Sequence, residues 1–319
     1  MVSRERLLEE AEATGFQPYV LEKVFLLLSL LTEINRHPDL AGHFALKGGT
    51  ALNLFQYKLP RLSLDIDLNF IGASDIETLL EMRPGLEKAI ASVCNELGLT
   101  LKALPQDHAG GKWVLSYKSS FGRPDRIELD LNFLYRVPLW PVAVKDSCNI
   151  GSFSAKQILM VNTYELAAGK LKALMSRKAS RDLFDANLLL QDGNYDYETL
   201  RLAIVIYGAM NPKDWRTVDP STVGFLPDEL NAKLVPVLNQ EVATKVKANL
   251  SQWAEVQVKE CQSHLSKFFP LTEPECEFIK RLREAGKIDP SLLTADADLQ
   301  EKISSHPALL WRASKATKN

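Results

Sequence analysis

The chain has 319 residues, 46% of them hydrophobic and 24% charged, so it is long enough to bury a large core, and its length predicts two globular domains. The formal net charge is -2 at pH 7. Proteins that coat nucleic acid without sequence preference depend on a dominantly basic surface. The charge balance therefore argues against that class but is compatible with a local basic groove.

The four cysteines lie far apart and form no CxxC pair, which predicts free thiols in a reducing cytoplasm rather than a disulfide framework or a zinc ribbon. The first ten residues carry acidic side chains where a signal peptide needs an apolar run. The longest apolar stretch, Val24 to Leu31, is interrupted by Ser29 and is too short to span a bilayer. We expect a cytoplasmic protein with no membrane or export role.

The first predicted elements are two helices followed by a strand and a tight turn. Apolar residues recur at helical spacing from Arg4 to about Asn35, and Pro18 marks a break between the helices. The short run His43 to Lys47 predicts a strand. Gly48 and Gly49 follow it at once, before another helical segment, which indicates a strand, a turn and a helix in succession.

Two later segments alternate strictly between apolar and polar residues, as half-buried strands do. The segment Arg61 to Phe70 puts Asp65 and Asp67 on one face, and Ile127 to Leu134 puts Asp130 on the polar face of a second strand. The remaining predictions in this half are a helix and two strands: Glu77 to Leu97, Leu99 to Leu104 and Trp113 to Ser119.

A change of pattern near residue 150 predicts a domain boundary. Pro138, Pro141 and the Gly151-Ser152 dipeptide break the regular spacing. We expect an α/β domain with N-terminal helices over residues 1–150 and a helical domain over residues 151–319 that completes an active-site cleft. The predicted helices after the boundary are Thr163 to Leu174, Arg181 to Leu190, Tyr197 to Tyr207, about Gln240 to Phe268, and Glu273 to Glu284.

The acidic residues of the two alternating strands predict a metal site. Asp65 and Asp67 are two apart on a strand, so both carboxylates project from one face and can share a hard cation such as magnesium. Asp130 adds a third carboxylate if its strand neighbours the first. Asp65 and Asp67 would hold the metal that bridges a triphosphate, and Asp67 and Asp130 a second metal that activates an attacking hydroxyl.

The glycine turn would complete such a site, because Gly48 and Gly49 let the backbone approach phosphate oxygens and offer N–H donors at a helix N-terminus. The glycine turn and the acidic residues each also have a purely structural interpretation. Two glycines before a helix usually form a turn, and acids on the outer face of an edge strand are common. The ordered combination of turn, acidic pair and later acid favours the catalytic interpretation.

Four segments together carry a resemblance to a known family. They are Leu46 to Leu52, with its two glycines, Arg61 to Leu68, with its two aspartates, Arg181 to Asp185, and His306 to Arg312. The first two resemble the AbiEii family of nucleotidyltransferase toxins, which includes the MenT toxins and belongs to the DNA polymerase β-like superfamily. The third resembles the RDxxD motif of that family, and the fourth resembles the C-terminal ending of its longer members. The superfamily often has serine where Gly49 stands, which would leave Thr50 and backbone N–H groups to contact phosphate.

The resemblance implies an α/β polymerase β-like nucleotidyltransferase domain with a mainly α-helical C-terminal domain. It also implies a toxin that moves a nucleotide from a nucleoside triphosphate (NTP) onto RNA, at the 3′ end of transfer RNA (tRNA). The expected cofactor is Mg2+, with Mn2+ as the alternative ion. Growth arrest would follow, and a cognate antitoxin would be encoded nearby.

Cations cluster early in the second half of the chain. Lys170, Arg177 and Arg181 fall within one stripe if a single helix runs unbroken through Ser180. A solvated charged face is the alternative interpretation of these cations. By resemblance, Lys170 meets the triphosphate, and either Asp182 or Asp185 is the essential acid of the RDxxD motif. The five cations within twelve residues that would form a basic track for RNA are Lys170, Lys172, Arg177, Lys178 and Arg181.

Two other functional classes stay open at the level of sequence. A nucleotidyltransferase acting on a small molecule or a protein would share the glycine turn and the acidic pair but would have an acceptor pocket without a basic rim. A non-catalytic nucleotide-binding module could keep the same fold. The presence of Asp65, Asp67 and Asp130 together argues against the second class.

Overall fold

The computed structural model describes residues 2–103 and 109–316, so Leu104, the predicted end of one strand, lies outside the described residues. The chain folds into two compact units, each assembled from several segments. The first unit consists of Met1–Arg136, Val142–Val161 and Pro236–Lys245. The second consists of Val137–Pro141, Asn162–Val235 and Val246–Asn319. No helix among the described residues is both long enough and apolar enough to cross a membrane.

The first unit begins with the two predicted helices, α1 (Arg4–Thr14) and α2 (Pro18–Arg36). The Ser3 hydroxyl caps α1 by accepting the Arg6 N–H at 3.2 Å. Proline stands at the first position of α2, where its missing N–H costs nothing. The predicted break at Pro18 is confirmed. A short helix, α3 (Gly48–Thr50), and a third long helix, α4 (Ile76–Glu96), follow later in the unit.

A seven-stranded mixed sheet forms the centre of the first unit. Its strands are β1 Phe44–Lys47, β2 Asp65–Phe70, β3 Thr100–Ala103, β4 Gly110–Lys118, β5 Pro124–Asn132, β6 Ala143–Lys145 and β7 Ile158–Met160. They lie in the order β3-β4-β5-β2-β1-β7-β6. The strand β2 pairs antiparallel with β1 on one side and parallel with β5 on the other. The two acidic strands therefore lie side by side in the middle of the sheet.

Several strands differ from the sequence prediction. The strand expected from Arg61 begins only at Asp65, because Leu62 donates its N–H to the carbonyl of Val237 at 2.8 Å instead of joining the sheet. The strands β6 and β7 were not predicted, since three residues are too few to show a period of two.

The chain after β7 is mainly helical, as predicted. The expected helix from Gln240 to Phe268 is instead two helices, because Asn249 leaves helical geometry and its side chain accepts the Gln252 N–H at the start of the second. The helices are α5 Thr163–Ser176, α6 Ser180–Asp192, α7 Tyr197–Ala209, α8 Pro227–Glu229, α9 Gln240–Ala248, α10 Leu250–Leu265, α11 Glu273–Ala285, α12 Ala297–Ser305 and α13 Pro307–Ala316. The shorter 3-10 and π turns are Trp215–Thr217, Pro220–Thr222, Leu230–Leu234, Val235–Val237 and Pro290–Leu292.

A buried carboxyl in the second unit makes the stability of the fold depend on pH. Glu165 of α5 accepts hydrogen bonds from the Tyr207 hydroxyl at 3.0 Å and from the Trp140 N–H at 3.3 Å. Burial raises the pKa of Glu165 from 4.5 to about 7. The folded protein therefore keeps this proton at a pH where the unfolded chain has released it.

We expect Glu165→Gln to remove a pH dependence of the free energy of unfolding. In the wild type that free energy falls as the pH rises from 4.5 to about 7, because only the unfolded state ionises at this position in that interval. The amide cannot ionise, so the variant should gain stability relative to wild type across the same interval. Urea unfolding at several pH values measures the difference, and Glu198→Gln, an exposed glutamate of α7, is the control. Parallel pH profiles for wild type and Glu165→Gln would contradict the assignment.

Candidate active site

The glycine turn is built directly against an aspartate of the central sheet. The strand β1 ends at Lys47, and the chain turns through α3 (Gly48–Thr50). Gly48 has φ +73°, and a Cβ built on it would lie 2.0 Å from Oδ2 of Asp67. Both the left-handed conformation and the close approach require glycine at residue 48. The turn and the predicted metal-binding pair are therefore one site.

The rest of the turn is held by hydrogen bonds to nearby residues of the same chain. The Thr50 hydroxyl, fully buried, donates a hydrogen bond to the backbone carbonyl of Asp65. Asn53 donates from Nδ2 to the carbonyl of Gly49 at 2.9 Å. A Cβ on Gly49 would come within 2.9 Å of the Ser63 hydroxyl, so the space of a side chain at residue 49 is already filled. These contacts fix the backbone of the turn relative to β2.

A π-helix follows the turn and begins the long interval before Asp65. It spans Ala51–Gln56, and its last residue accepts a hydrogen bond from Lys145 of β6. Short π-helical turns are rare in proteins, and those that do occur are often found at functional sites. The sequence predicted an ordinary helix here.

Four carboxylates occupy adjoining positions on one face of the sheet. Asp67 of β2 is the register partner of Asp130 of β5, and Asp65 is the partner of Glu128. Residues two apart on a strand share a face, so all four side chains leave the sheet on the same side. We call Asp65, Asp67, Glu128 and Asp130 the carboxylate cluster. The condition set by the sequence, that the strand of Asp130 should neighbour the strand of Asp65, is met.

Two lysines on this face lie at register positions directly beside Asp67 and Asp130, and the sequence pattern did not indicate them. Lys47 is the register partner of Asp67, and its Nζ lies 5.6 Å from the ring centroid of Tyr135. Lys112 of β4 is the register partner of Asp130, and its Nζ contacts Glu128 Oε2 at 2.7 Å. The hydrogen bond to Glu128 raises the pKa of Lys112, with Asp65 and Asp130 adding to the effect. Only the pairing of β4 with β5 reveals the position of Lys112.

The carboxylate cluster fits magnesium in its chemistry and in its backbone placement. Mg2+ prefers oxygen ligands and usually takes one or two carboxylates, with waters and substrate phosphates completing its shell. Over residues 2–103 and 109–316, no three histidine, cysteine, aspartate or glutamate side chains stand close enough together to hold one ion. A pair such as Asp65 and Asp67 meets the ordinary requirement when a triphosphate brings the remaining oxygens.

The predicted residues of the second half form a buried ionic cluster within the second unit. Lys170 of α5 is only 9% exposed, and its Nζ lies 3.0 Å from Asp182 Oδ1 and 2.9 Å from Asp185 Oδ2. Arg177, whose side chain is 67% exposed, contacts Asp182 Oδ2 at 2.6 Å. Burial by itself would raise the pKa of Asp182, but Lys170 and Arg177 together hold it below its usual 3.8. Both acids of the RDxxD motif thus contact the same lysine.

The two helices predicted in this region are present as separate elements, so the condition of a single helix through Ser180, on which the cation stripe depended, is not met. The helix α5 ends at Ser176, and α6 begins at Ser180, where its N–H donates to Glu229 Oε2 at 2.5 Å. The packing of α6 against α5 brings Asp182 and Asp185 to Lys170. Arg181 is half-buried in the first turn of α6. Lys170 is consequently a buried cation and not part of a solvated stripe.

We expect Lys170→Met to destabilise the protein by about 3–5 kcal/mol at neutral pH, because removing the cation breaks its ion pairs with two buried carboxylates. The loss should shrink in acid, where the carboxylates take up protons. Urea unfolding measures both effects. Lys172→Met is the matched control, since the half-buried Lys172 lies over the Tyr207 ring at 5.7 Å and contributes about 1 kcal/mol or less. Equal losses in the two variants would contradict the role of Lys170.

A glycine turn that abuts an acidic pair on a central mixed sheet, followed by a helical second half, defines the nucleotidyltransferase class. Residues 29–275 match the family of nucleotidyl transferase AbiEii toxins of type IV toxin–antitoxin systems. Because the match covers most of the chain, the protein belongs to this family. The predicted family and the predicted enzyme class are confirmed.

The fold is similar to that of a solved toxin. The structure of MenT4, the nucleotidyltransferase toxin Rv2826c from Mycobacterium tuberculosis H37Rv, matches with a TM-score of 0.61 and 17% sequence identity. The alignment covers 97% of this chain and 99% of that chain. The comparison with curated proteins gave no match. The predicted α/β fold with a helical C-terminal part is confirmed by this likeness.

Proposed function

We propose that this toxin transfers a nucleotide from an NTP to RNA, at the 3′ end of tRNA, and so arrests growth. The family provides the nucleotidyltransferase activity and implies a cognate antitoxin. The observation that carries the proposal for the catalytic site is the close approach of Gly48 to Asp67, whose register partner is Asp130. This contact places a turn suited to binding phosphate beside Asp67 and Asp130, with Asp65 two residues before Asp67 on the same strand.

The residues of the first unit divide the work in this proposal. Bound magnesium would neutralise charge on the triphosphate and activate the attacking hydroxyl of the acceptor. Asp65 and Asp67 would hold the ion that binds the triphosphate, and Asp130 would act with Asp67 to hold an ion near the acceptor hydroxyl. The backbone N–H groups of the glycine turn donate to phosphate oxygens. Thr50 holds the turn to the carbonyl of Asp65.

The residues of the second unit are proposed to act on the nucleotide. Lys170 supplies positive charge for the triphosphate, and Arg181 and Asp182 bind the nucleotide with it. Asp182 and Asp185 orient the Lys170 ammonium, because each carboxylate lies within 3.0 Å of it. Two carboxylate contacts fix the direction of a lysine side chain that is otherwise highly flexible.

The preference for RNA rests on the exposed cations next to this cluster. Arg177 and Lys178 are exposed, and they lie between α5 and α6 in a chain whose total charge is slightly negative. A phosphodiester backbone is attracted by such a segment, whereas a cationic small molecule is repelled.

We expect transfer to RNA to fall steeply with rising salt, and the double variant Arg177→Gln/Lys178→Gln to weaken RNA use more than NTP binding. Each phosphate that the variant no longer neutralises should lower the slope of log affinity against log salt by about 0.7–0.9. Filter binding of tRNA over a salt series and equilibrium binding of NTP measure the two effects. Lys245→Gln/Lys247→Gln, two exposed lysines of α9, is the control. A double variant that loses NTP binding but keeps its RNA salt slope would contradict the assignment.

A further inference from the structure

The strand β4 brings a lysine to the carboxylate cluster from the side opposite to the glycine turn. Lys112 is the register partner of Asp130 across the β4–β5 pair. The strand β5 in turn pairs with β2, which carries Asp65 and Asp67. Residues at corresponding register positions share a face. Lys112 therefore leaves the sheet on the same side as all four acids.

The ammonium of Lys112 interacts with more than one of these acids. Its Nζ lies 2.7 Å from Glu128 Oε2, and Asp65 and Asp130 are close enough to act on it electrostatically. The Lys112 side chain is 52% exposed. A half-exposed lysine on a flexible stem can keep its charge and move its ammonium group by several ångströms without disturbing the core.

We propose that Lys112 is the resident counter-cation of the carboxylate cluster, which weakens the binding of free divalent ions and strengthens the binding of the metal-bound triphosphate. This inference rests on the proposed function, because it takes the cluster to be the metal site. Before substrate arrives, the ammonium offsets the mutual repulsion of the acids. It also repels an incoming dication at the same positions.

The sign of the effect reverses for the substrate complex. A magnesium nucleoside triphosphate carries net negative charge, so the same ammonium attracts it. Loss of the charge at residue 112 should therefore tighten free-metal binding and weaken nucleotide binding. A residue that only stabilised the strand would change both affinities in the same direction or neither.

The test measures Mn2+ binding to the purified protein by the electron paramagnetic resonance signal of the free aqueous ion, without nucleotide. Lys112→Met keeps the apolar stem and removes the charge, Lys112→Arg keeps the charge, and Lys118→Met is a matched control on the same strand. We expect Lys112→Met to bind Mn2+ about three- to tenfold more tightly than wild type, as one nearby charge in a partly solvated site predicts. The other two variants should match wild type.

The second arm measures binding of non-reactive α,β-methylene triphosphates of all four bases in the presence of Mn2+. We expect Lys112→Met to bind the recognised analogue at least about threefold more weakly, and Lys112→Arg to bind it as wild type does. Unchanged or weaker binding of free Mn2+ by Lys112→Met overturns the inference. Lys112→Arg behaving like Lys112→Met also overturns it, because the charge would then be irrelevant.

A further variant separates this inference from the proposed function. Asp67→Asn should greatly weaken Mn2+ binding if the cluster is the metal site. Mn2+ binding that Asp67→Asn leaves intact means that the metal site itself is misplaced, whatever Lys112 does. Binding that depends on Asp67 but not on the charge at residue 112 leaves the proposed function standing and rejects only the role of Lys112.

Discussion

Replacing Asp67 with asparagine is expected to lower nucleotide transfer by roughly a thousandfold or more, since a ligand shared by both proposed metals cannot be replaced by a neutral amide. Asp67 is the central acid of the site, with Lys47 and Asp130 as its partners on the two neighbouring strands. Asparagine has nearly the same shape, so the contact with Gly48 is kept. The fold should therefore survive.

The stability of Asp67→Asn should equal or exceed that of wild type without metal, because the change removes one of several like charges from adjoining positions. Transfer assays with magnesium and unfolding in urea with a chelator measure the two quantities. Asp39→Asn, at an exposed position before β1, is the control. Turnover near that of wild type would show that Asp67 does not bind the metal, and a large loss of stability would show that its role is structural.

Gly48→Ala should lower both stability and transfer, whereas Gly42→Ala should affect stability alone. Both glycines have positive φ, +73° and +81°, so alanine costs about 1 kcal/mol of backbone strain at either residue. A Cβ on Gly42 would meet nothing within 4 Å, but a Cβ on Gly48 would lie 2.0 Å from Asp67 Oδ2. The two variants share the backbone strain and differ only in the steric clash with Asp67.

The steric clash between the alanine Cβ and Asp67 must displace either the turn or the Asp67 carboxylate. Overpacking adds about 1–3 kcal/mol to the strain, and a displacement of about 1 Å at a reacting centre can slow chemistry by about a hundredfold. Urea unfolding and transfer kinetics of both variants measure the effects. Equal transfer rates in Gly48→Ala and Gly42→Ala would mean that the turn does not position the catalytic pair.

The alternation of polar and apolar residues was enough to predict much of the carboxylate face. A period of two assigns Asp65, Asp67 and Asp130 to the polar faces of their strands without knowledge of the sheet order. The pairing of β2 with β5 then brought them together. The sequence did not reveal that Gly48 abuts Asp67, because this contact depends on the antiparallel pairing of β1 with β2.

The surroundings of the two ionic groups could not be predicted, because they depend on tertiary pairing. Lys112 meets Glu128 only through the register of β4 with β5. Lys170 is buried because α6 packs against α5. A single helix running through Ser180 could not fold back on itself in this way. The alternating pattern also failed to predict the structure at Leu62, because the Leu62 N–H donates to the carbonyl of Val237, which is far along the chain. Local periodicity fixes the face of a residue but not its partners.

The central claim, that this toxin moves a nucleotide onto RNA, is tested most directly with labelled substrate. The protein is incubated with magnesium, total RNA and each of the four NTPs labelled at the α-phosphate, in parallel with Asp65→Ala. We predict label on RNA of tRNA size from at least one NTP, at an end that periodate treatment of the RNA beforehand blocks, and none with Asp65→Ala. Label found only on a small molecule or on protein, with no RNA labelled by any NTP, would contradict the account.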